Sequence, residues 1–372
     1  MRAPSSRPAV AVTAARRFFI LVQAIRVRDP GASRDEVEGC MQTRLAAMKP
    51  GLAVLAGAAM LSACSLKTMA VNTMADALAA SGDVYASDDD PALVRDALPF
   101  SLKTIESFLA GAPRHPGLLL TACSGFTQYS YAFVQSDADM LDASEYPKAQ
   151  ELRDRALKLY LRARDYCLRR LELAHAGIGV ALVRSPGPAL AAMRRDEVGQ
   201  LYWTGASWGA AISLGLDRPE LVNAVPAVRA LMERALALDE TYSRGAIHEA
   251  LITLDSLPEA LGGSPDRARQ HFERAVALQK GRSPGPYVAL AMGVSVASQN
   301  RAEFERLMQE ALAIDPEQDR SNRLATILAQ RSARRLLERA DELFSGSDHM
   351  MPAWFWSLRM EDVRPHGGGE RP

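Results

Sequence analysis

The chain has 372 residues, 48% hydrophobic and only 6% aromatic, with 44 Lys+Arg against 44 Asp+Glu. Balanced charge excludes the basic footprint of a nucleic-acid binder, and the apolar content supplies a core for one large or two modest domains. Abundant alanine and leucine with few aromatics favour packed helices over sheets.

In chain order, Arg44 and Lys49 precede an apolar run over 51–63 that ends in Leu61-Ser62-Ala63-Cys64. A basic stretch, a short apolar stretch and small residues before the cut have the anatomy of a secretory signal. Thirteen helical residues span about 20 Å, too short for a bilayer core of about 30 Å. The Leu-Ser-Ala-Cys ending resembles the bacterial lipobox, so 41–63 reads as a lipoprotein signal peptide and Cys64 as the lipidated mature N-terminus. Competing readings are an ordinary cleaved signal, or a buried helix that happens to hold a cysteine. Ser65 after the cysteine resembles the pattern of lipoproteins sent to the outer membrane. Residues 1–40 then read as an over-extended, disordered N-terminus, with Met41 or Met48 as the start. Removing 1–63 takes away nine Lys/Arg and four Asp/Glu, leaving 35 against 40 and a net charge of −5.

Behind Cys64, Asp90-Pro91 predicts a helix start, with the aspartate as cap and the proline at the first helical position. Val94, Leu98, Leu102, Ile105 and Leu109 follow on one face, and Gly111-Ala112-Pro113 ends the helix. Pro116 starts a second helix through Leu119, Cys123, Phe126 and Phe133; the polar stretch 136–146 reads as its connection onward. A long helix over 148–175 carries Leu152, Ala156, Leu159, Ala163, Cys167 and Leu171 on one face. Residues 177–188 read as a loose connection, and 198–214 as an aromatic-rich helix holding Tyr202, Trp203 and Trp208. Asp217-Arg218-Pro219-Glu220 is expected to open the next helix, Ser264-Pro265 a further one, and 316–344 a last long one. The tail 345–372 is irregular, with Trp354-Phe355-Trp356 inside it. No stretch alternates as a strand would.

A short pattern recurs between 228 and 316: Met232-Glu233-Arg234-Ala235-Leu236-Ala237-Leu238-Asp239, then Phe272-Glu273-Arg274-Ala275-Val276-Ala277-Leu278-Gln279, then Met308-Gln309-Glu310-Ala311-Leu312-Ala313-Ile314-Asp315-Pro316. The alanines Ala235, Ala275 and Ala311 are 40 and 36 residues apart. A small residue there lets two helices approach, and such periods mark stacked helix pairs. The middle copy, with Ala268, Phe272 and Ala275, is similar to the tetratricopeptide pattern. The fold class predicted is therefore all-α: a tetratricopeptide-like helical-repeat (α-solenoid) domain over 64–344, preceded by the signal peptide.

Candidate chemistry is sparse. Gly205-Ala206-Ser207-Trp208-Gly209 matches the nucleophile elbow of α/β-hydrolases, which needs a strand before it and a sheet to hold its partners; small residues letting helices pack is the ordinary account. The six histidines form no paired ligand spacing, so no metal and no cofactor are expected. His248 falls on an apolar helix, either as a satisfied buried group or on an inner groove. Cys123 and Cys167 both lie on apolar helix faces, and whether they pair stays open. Tyr202, Trp203, Trp208 and His248 are the candidate groove residues for a ligand or partner, with packing in the core as the alternative.

The lipobox, Val84-Tyr85-Ala86-Ser87-Asp88-Asp89-Asp90-Pro91, Pro116-Gly117-Leu118-Leu119-Leu120, Ser124-Gly125-Phe126, Leu201-Tyr202-Trp203, Ser207-Trp208-Gly209, the 228–235 segment and the stretch from Leu257-Pro258 to Gly262-Gly263-Ser264-Pro265 together resemble one family. It is the T component (TatT) of tripartite ATP-independent periplasmic (TRAP) transporters, and the resemblance covers roughly 64–344. It implies an all-helical periplasmic lipoprotein, assembled as a homotrimer, whose partner is the substrate-binding P component. It implies no catalytic residues. The reading is thus a non-enzymatic envelope lipoprotein, membrane-tethered through Cys64, that docks the P component and shelters its ligand. The alternatives are an envelope-assembly adaptor at the outer membrane and a serine hydrolase using Ser207.

Overall fold

The computed structural model describes residues 82–344. The described residues all fall within one compact unit. The expected signal peptide, Cys64 and the tail with Trp354-Phe355-Trp356 lie outside the described residues. Every regular element among those described is helical, as the composition predicts.

Helix α1 (Pro91–Gly111) starts where local chemistry sets it: the Asp90 carboxylate accepts the Ala92 and Leu93 N–H groups, both at 3.0 Å. It buries Val94, Leu102, Ile105 and Leu109. Helix α2 (Pro116–Tyr129) follows, and here the expected connection at 136 is corrected. The chain stays helical through a π turn (Ser130–Gln135) and a last stretch, Ser136–Met140. Phe133, Val134 and Ala138 are buried along that extension, and Asp137 ion-pairs with Arg95 of α1, so tertiary contacts override the polar composition. Helix α3 (Tyr146–Glu172) buries Ala156, Ala163, Cys167 and Leu171 of the expected face, together with Leu157 and Tyr160.

The stretch read as loose, 177–188, holds two short helices, Ile178–Arg184 and Pro186–Leu190. Helix α4 (Val198–Ser213) comes next. The helix that Pro219 opens ends at once (Pro219–Val222), and the first repeated motif belongs to a separate helix, α5 (Val225–Leu238). Pro226 explains the break, because its ring excludes a helical carbonyl four residues earlier. Helices α6 (Ala246–Asp255), α7 (Pro265–Gln279), α8 (Gly285–Leu290, running into a π turn at Ala291–Ser295) and α9 (Arg301–Leu312) follow. Ser264 caps α7 as expected, accepting the Arg267 N–H at 3.4 Å. The single helix expected over 316–344 is instead a 3-10 stretch (Pro316–Asn322), α10 (Arg323–Glu338) and a final turn (Ala340–Leu343). Asp319, at φ −143° and ψ 83°, interrupts it.

The three motif alanines sit on α5, α7 and α9, and Ala235, Ala275 and Ala311 are each 0% exposed. They mark the second helix of successive pairs, where the first helix packs closest. Two cores result. One joins α1 to α6 through residues such as Leu118, Tyr160, Leu201, Leu231 and Leu251; the other joins α6 to α10 through Ile252, Phe304, Leu307 and Met308. Along the array α2 touches α4, α4 touches α6, α6 touches α8 and α8 touches α10. The last helix then returns to the first: α10 packs on α1, on Ser136–Met140 and on Gly82–Ala86. Leu324 and Leu328 of α10 pack against the first core while Leu336 and Leu337 pack against the second. Arg335 pairs with Asp142 and donates to the Met140 carbonyl at 3.2 Å, and Arg339 donates to the Asp139 and Leu141 carbonyls at 3.3 and 3.4 Å. Arg323 pairs with Asp89 at 2.8 Å. The stack of helix pairs is therefore closed on itself, with α2, α4, α6, α8 and α10 as its inner members.

Candidate functional site

The inner helices bring together groups that lie far apart in the chain. Tyr131, in the π turn after α2, is 67% exposed to solvent. Its phenol is nonetheless pushed up to about 12, by desolvation first and then by the charges of Glu249 and Asp139. The segment that carries it continues α2, so it lies along the inner wall of the stack. Tyr202 of α4 shows the same behaviour. It is half-buried and its phenol is raised, by desolvation and then by Glu249, Tyr242 and Tyr131. Glu249 of α6 is the group both tyrosines feel, and burial raises its carboxyl above the usual carboxylate range. Asp139 is raised for the same reason, opposed by Arg153 and Arg339.

Packing fixes this wall from behind. The Tyr202 ring lies 5.0 Å from Trp203, edge-on, and 5.4 Å from Tyr242. Tyr242 reaches over α4 because residue 199 is glycine; a Cβ there would stand 3.1 Å from the Tyr242 hydroxyl. Tyr160, fully buried, donates to Gln135 Oε1 at 2.7 Å and holds the extension of α2 against α3. Cys123 of α2 and Cys167 of α3 form a disulfide, with Cα atoms 5.1 Å apart, which settles the pairing that sequence left open.

The four candidate groove residues separate. Tyr202 and Trp203 are half-buried beside the inner wall. Trp208 is 5% exposed, inside the first core, with the Arg164 guanidinium 5.7 Å from its ring. His248 is 5% exposed and engaged with its neighbours: its Nδ1 lies 2.8 Å from His271 Nδ1 and its Nε2 3.1 Å from Glu240 Oε1. Tyr131, Tyr242 and Glu249 join the wall without any sequence signal for it, since helical periodicity cannot say which side of a stack becomes concave.

Ser207 lies in the middle of α4, 0% exposed, donating its hydroxyl to the Thr204 carbonyl at 3.1 Å. The strand–turn–helix geometry of a nucleophile elbow is not built around it. Among the described residues no three His, Cys, Asp or Glu side chains group as metal ligands, and no helix is long and apolar enough to cross a membrane.

Comparison with known proteins adds identity to this geometry. An uncharacterized protein of Treponema pallidum (strain Nichols) is 32% identical over 300 residues, which cover 76% of this chain and 93% of the relative. The family model of the TRAP transporter T-component matches residues 87–344, the same span that forms the closed helical array. This chain belongs to the TRAP transporter T-component family.

Proposed function

We propose that this T-component is a non-catalytic, lipid-anchored scaffold that docks the substrate-binding P component of its transport system and shelters the transferred ligand against its inner face. In this reading residues 41–63 are removed, Cys64 is acylated, and the helical domain faces the periplasm from the outer membrane as a homotrimer. The observation that supports it is the T-component family match over residues 87–344, together with the array of helix pairs whose inner members carry Tyr131 and Tyr202. Such a wall offers apolar area with few polar groups, the makeup of a small-molecule site. Trp203 supports Tyr202 edge-on, while Trp208 and His248 stand behind the wall and hold the helices that carry it.

The test is affinity capture with the full-length chain from its own cells. Recovery of the solute-binding protein encoded beside it supports docking. Recovery of barrel-assembly or cell-wall machinery instead, with no solute-binding protein, overturns it in favour of an envelope-assembly adaptor. Metabolic labelling with a fatty-acid analogue tests the anchor, because the Cys64→Ser protein should carry no label.

A further inference from the structure

Two elements of the outer surface are apolar on both sides, although a helix facing water ordinarily keeps one side polar. Helix α1 buries Val94, Leu102, Ile105 and Leu109, yet it turns Leu93 and Phe100 outward, 60% and 77% exposed. These two stand about two helical turns apart, with half-buried Ala97 between them on the same side. Thr104 continues that side, and its hydroxyl donates to the Phe100 carbonyl at 2.9 Å, so its polar atom is satisfied within its own helix. The short helix Ile178–Arg184 repeats the situation elsewhere. It buries Ile178 and Leu182 and exposes Val180 and Val183, at 61% and 56%.

The two faces carry opposite charge. Around the start of α1 stand Asp88, Asp89, Asp90 and Asp96, with Arg95 as the one cation among them. Arg95 is held by Asp137 and Asp89 by Arg323, which leaves Asp88, Asp90 and Asp96 outside any ion pair among the described residues. Residues 173–195, which hold the short helix, contain no Asp or Glu but do contain Arg184, Arg194 and Arg195. Arg194 reaches Asp196 at 3.6 Å and Arg195 reaches Asp239 at 3.2 Å, with the two arginine side chains 76% and 73% exposed. Exposed pairs of that kind are weak and exchange partners readily. Arg184, exposed at the end of its helix, has no ion pair among the described residues.

The faces also sit on different parts of the array, for α1 packs on α2 and α10 and Ile178–Arg184 packs on α3 and α5. Like against like would set aspartate on aspartate or arginine on arginine. Unlike faces meet with their charges matched and their apolar side chains covered, so each molecule carries the complement of its own surface. A contact between two different faces of one chain runs head to tail and leaves each copy one free face of each kind, which closes into a ring when the rotation permits. We propose that the Leu93–Phe100 face of α1 docks on the Val180–Val183 face of a second copy of this chain. The proposal rests on the homotrimer reading and names the surfaces that join its members.

The experiment is sedimentation velocity of the full-length chain in detergent. Two doubly substituted proteins are compared with the parent: Leu93→Gln with Phe100→Gln, and Val180→Gln with Val183→Gln. All four positions are exposed, so circular dichroism should show the helical content of the parent. The parent is expected to sediment as a trimer and each variant alone as a monomer, its association weakened at least about tenfold. An equimolar mixture of the two variants should form a dimer with one copy of each, because one intact α1 face still meets one intact Val180–Val183 face. That recovery shows that both variants are folded, and no contact of like faces produces it. A parent trimer that survives either pair of substitutions, or monomeric variants that do not associate on mixing, overturns the assignment and leaves the trimer standing. A monomeric parent overturns the assignment and the homotrimer reading together. Variants that stay trimeric but no longer capture the solute-binding protein give these faces to that partner and overturn the assignment as well.

Discussion

His248 Nδ1 of α6 lies 2.8 Å from His271 Nδ1 of α7. One of these nitrogens donates and the other accepts, so a single proton serves both rings. Outside the pair, His248 Nε2 faces Glu240 at 3.1 Å and His271 Nε2 faces Asp255 Oδ2 at 3.5 Å. The arrangement links a fully buried carboxylate to the surface carboxylate of Glu240, which Arg274 grips at 2.6 Å.

Acid should loosen this joint. Burial lowers both imidazoles from their ordinary value, with Arg274 adding to the effect on His248 and with His248, Arg267 and Arg229 adding to it on His271; Glu240 and Asp255 oppose it. Groups held below their unfolded value bind fewer protons when folded. Stability therefore falls as pH drops below about 6.5, the unfolded value, and the loss levels off below the lowered folded values. His271→Gln should reduce the loss of unfolding free energy between pH 7 and pH 5 by on the order of 1 kcal/mol in urea titrations. An unchanged pH slope would show that the pair titrates as it does in the unfolded chain. Glu240, drawn down to about 2 chiefly by its hydrogen bond from Arg274, stays ionised throughout this window and does not confuse the readout.

Asp255 should be the costliest single polar residue to remove. It is 0% exposed, and its Oδ1 accepts Arg229 Nη1 at 2.8 Å and Arg267 Nε and Nη2 at 3.2 and 2.9 Å. Its carbonyl accepts the Ser264 N–H at 2.7 Å, and Arg229 donates on to the Gly262 carbonyl at 2.9 Å, so the α6–α7 connection is organised around it. Asp255→Ala strands two guanidinium groups and should cost about 3 kcal/mol of unfolding free energy. A loss below about 1 kcal/mol would place it among ordinary surface pairs.

Closure of the array by α10 is open to hydrogen exchange. Replacing both Arg335 and Arg339 with alanine removes the donors to Asp142 and to the Met140, Asp139 and Leu141 carbonyls. Amides of α10 and of Ser136–Met140 should then exchange together and faster, while α4 and α5 keep their protection. Faster exchange confined to α10 would mean that the two ends are not coupled.

The Cys123–Cys167 bridge closes a loop with a sequence separation of 44, and both residues are buried. Paired Cys→Ser replacement should lower stability by about 2–4 kcal/mol, read as a drop in melting temperature that reductant reproduces in the parent chain. No effect of reductant on the melting temperature, with the thiols shown to be free, would count against a structural role for the bridge.

Some of this was written locally. Asp90-Pro91 and Ser264-Pro265 name helix starts because a cap and its first turn are neighbours in sequence, and the structure places them there. Ala235, Ala275 and Ala311 mark the close approaches because a repeated packing solution repeats its residue. Polarity misled at 136–140, where Asp137 is spent on Arg95, and at 316–322, where one backbone outlier at Asp319 divides a continuous pattern. Trp208 and Tyr202 look alike as aromatics on one helix, yet one faces the core and the other the inner wall.

By itself, then, the amino-acid order determined an all-helical chain, the starts of α1, α2, α4 and α7, its repeating pairs and its family likeness, since each is decided within a few turns of backbone or by segment order. Only the tertiary structure decided that α10 returns to α1, that Cys123 meets Cys167 and that His248 meets His271. Those outcomes depend on how small rotations between successive helix pairs accumulate around the stack. No local pattern of residues encodes that sum.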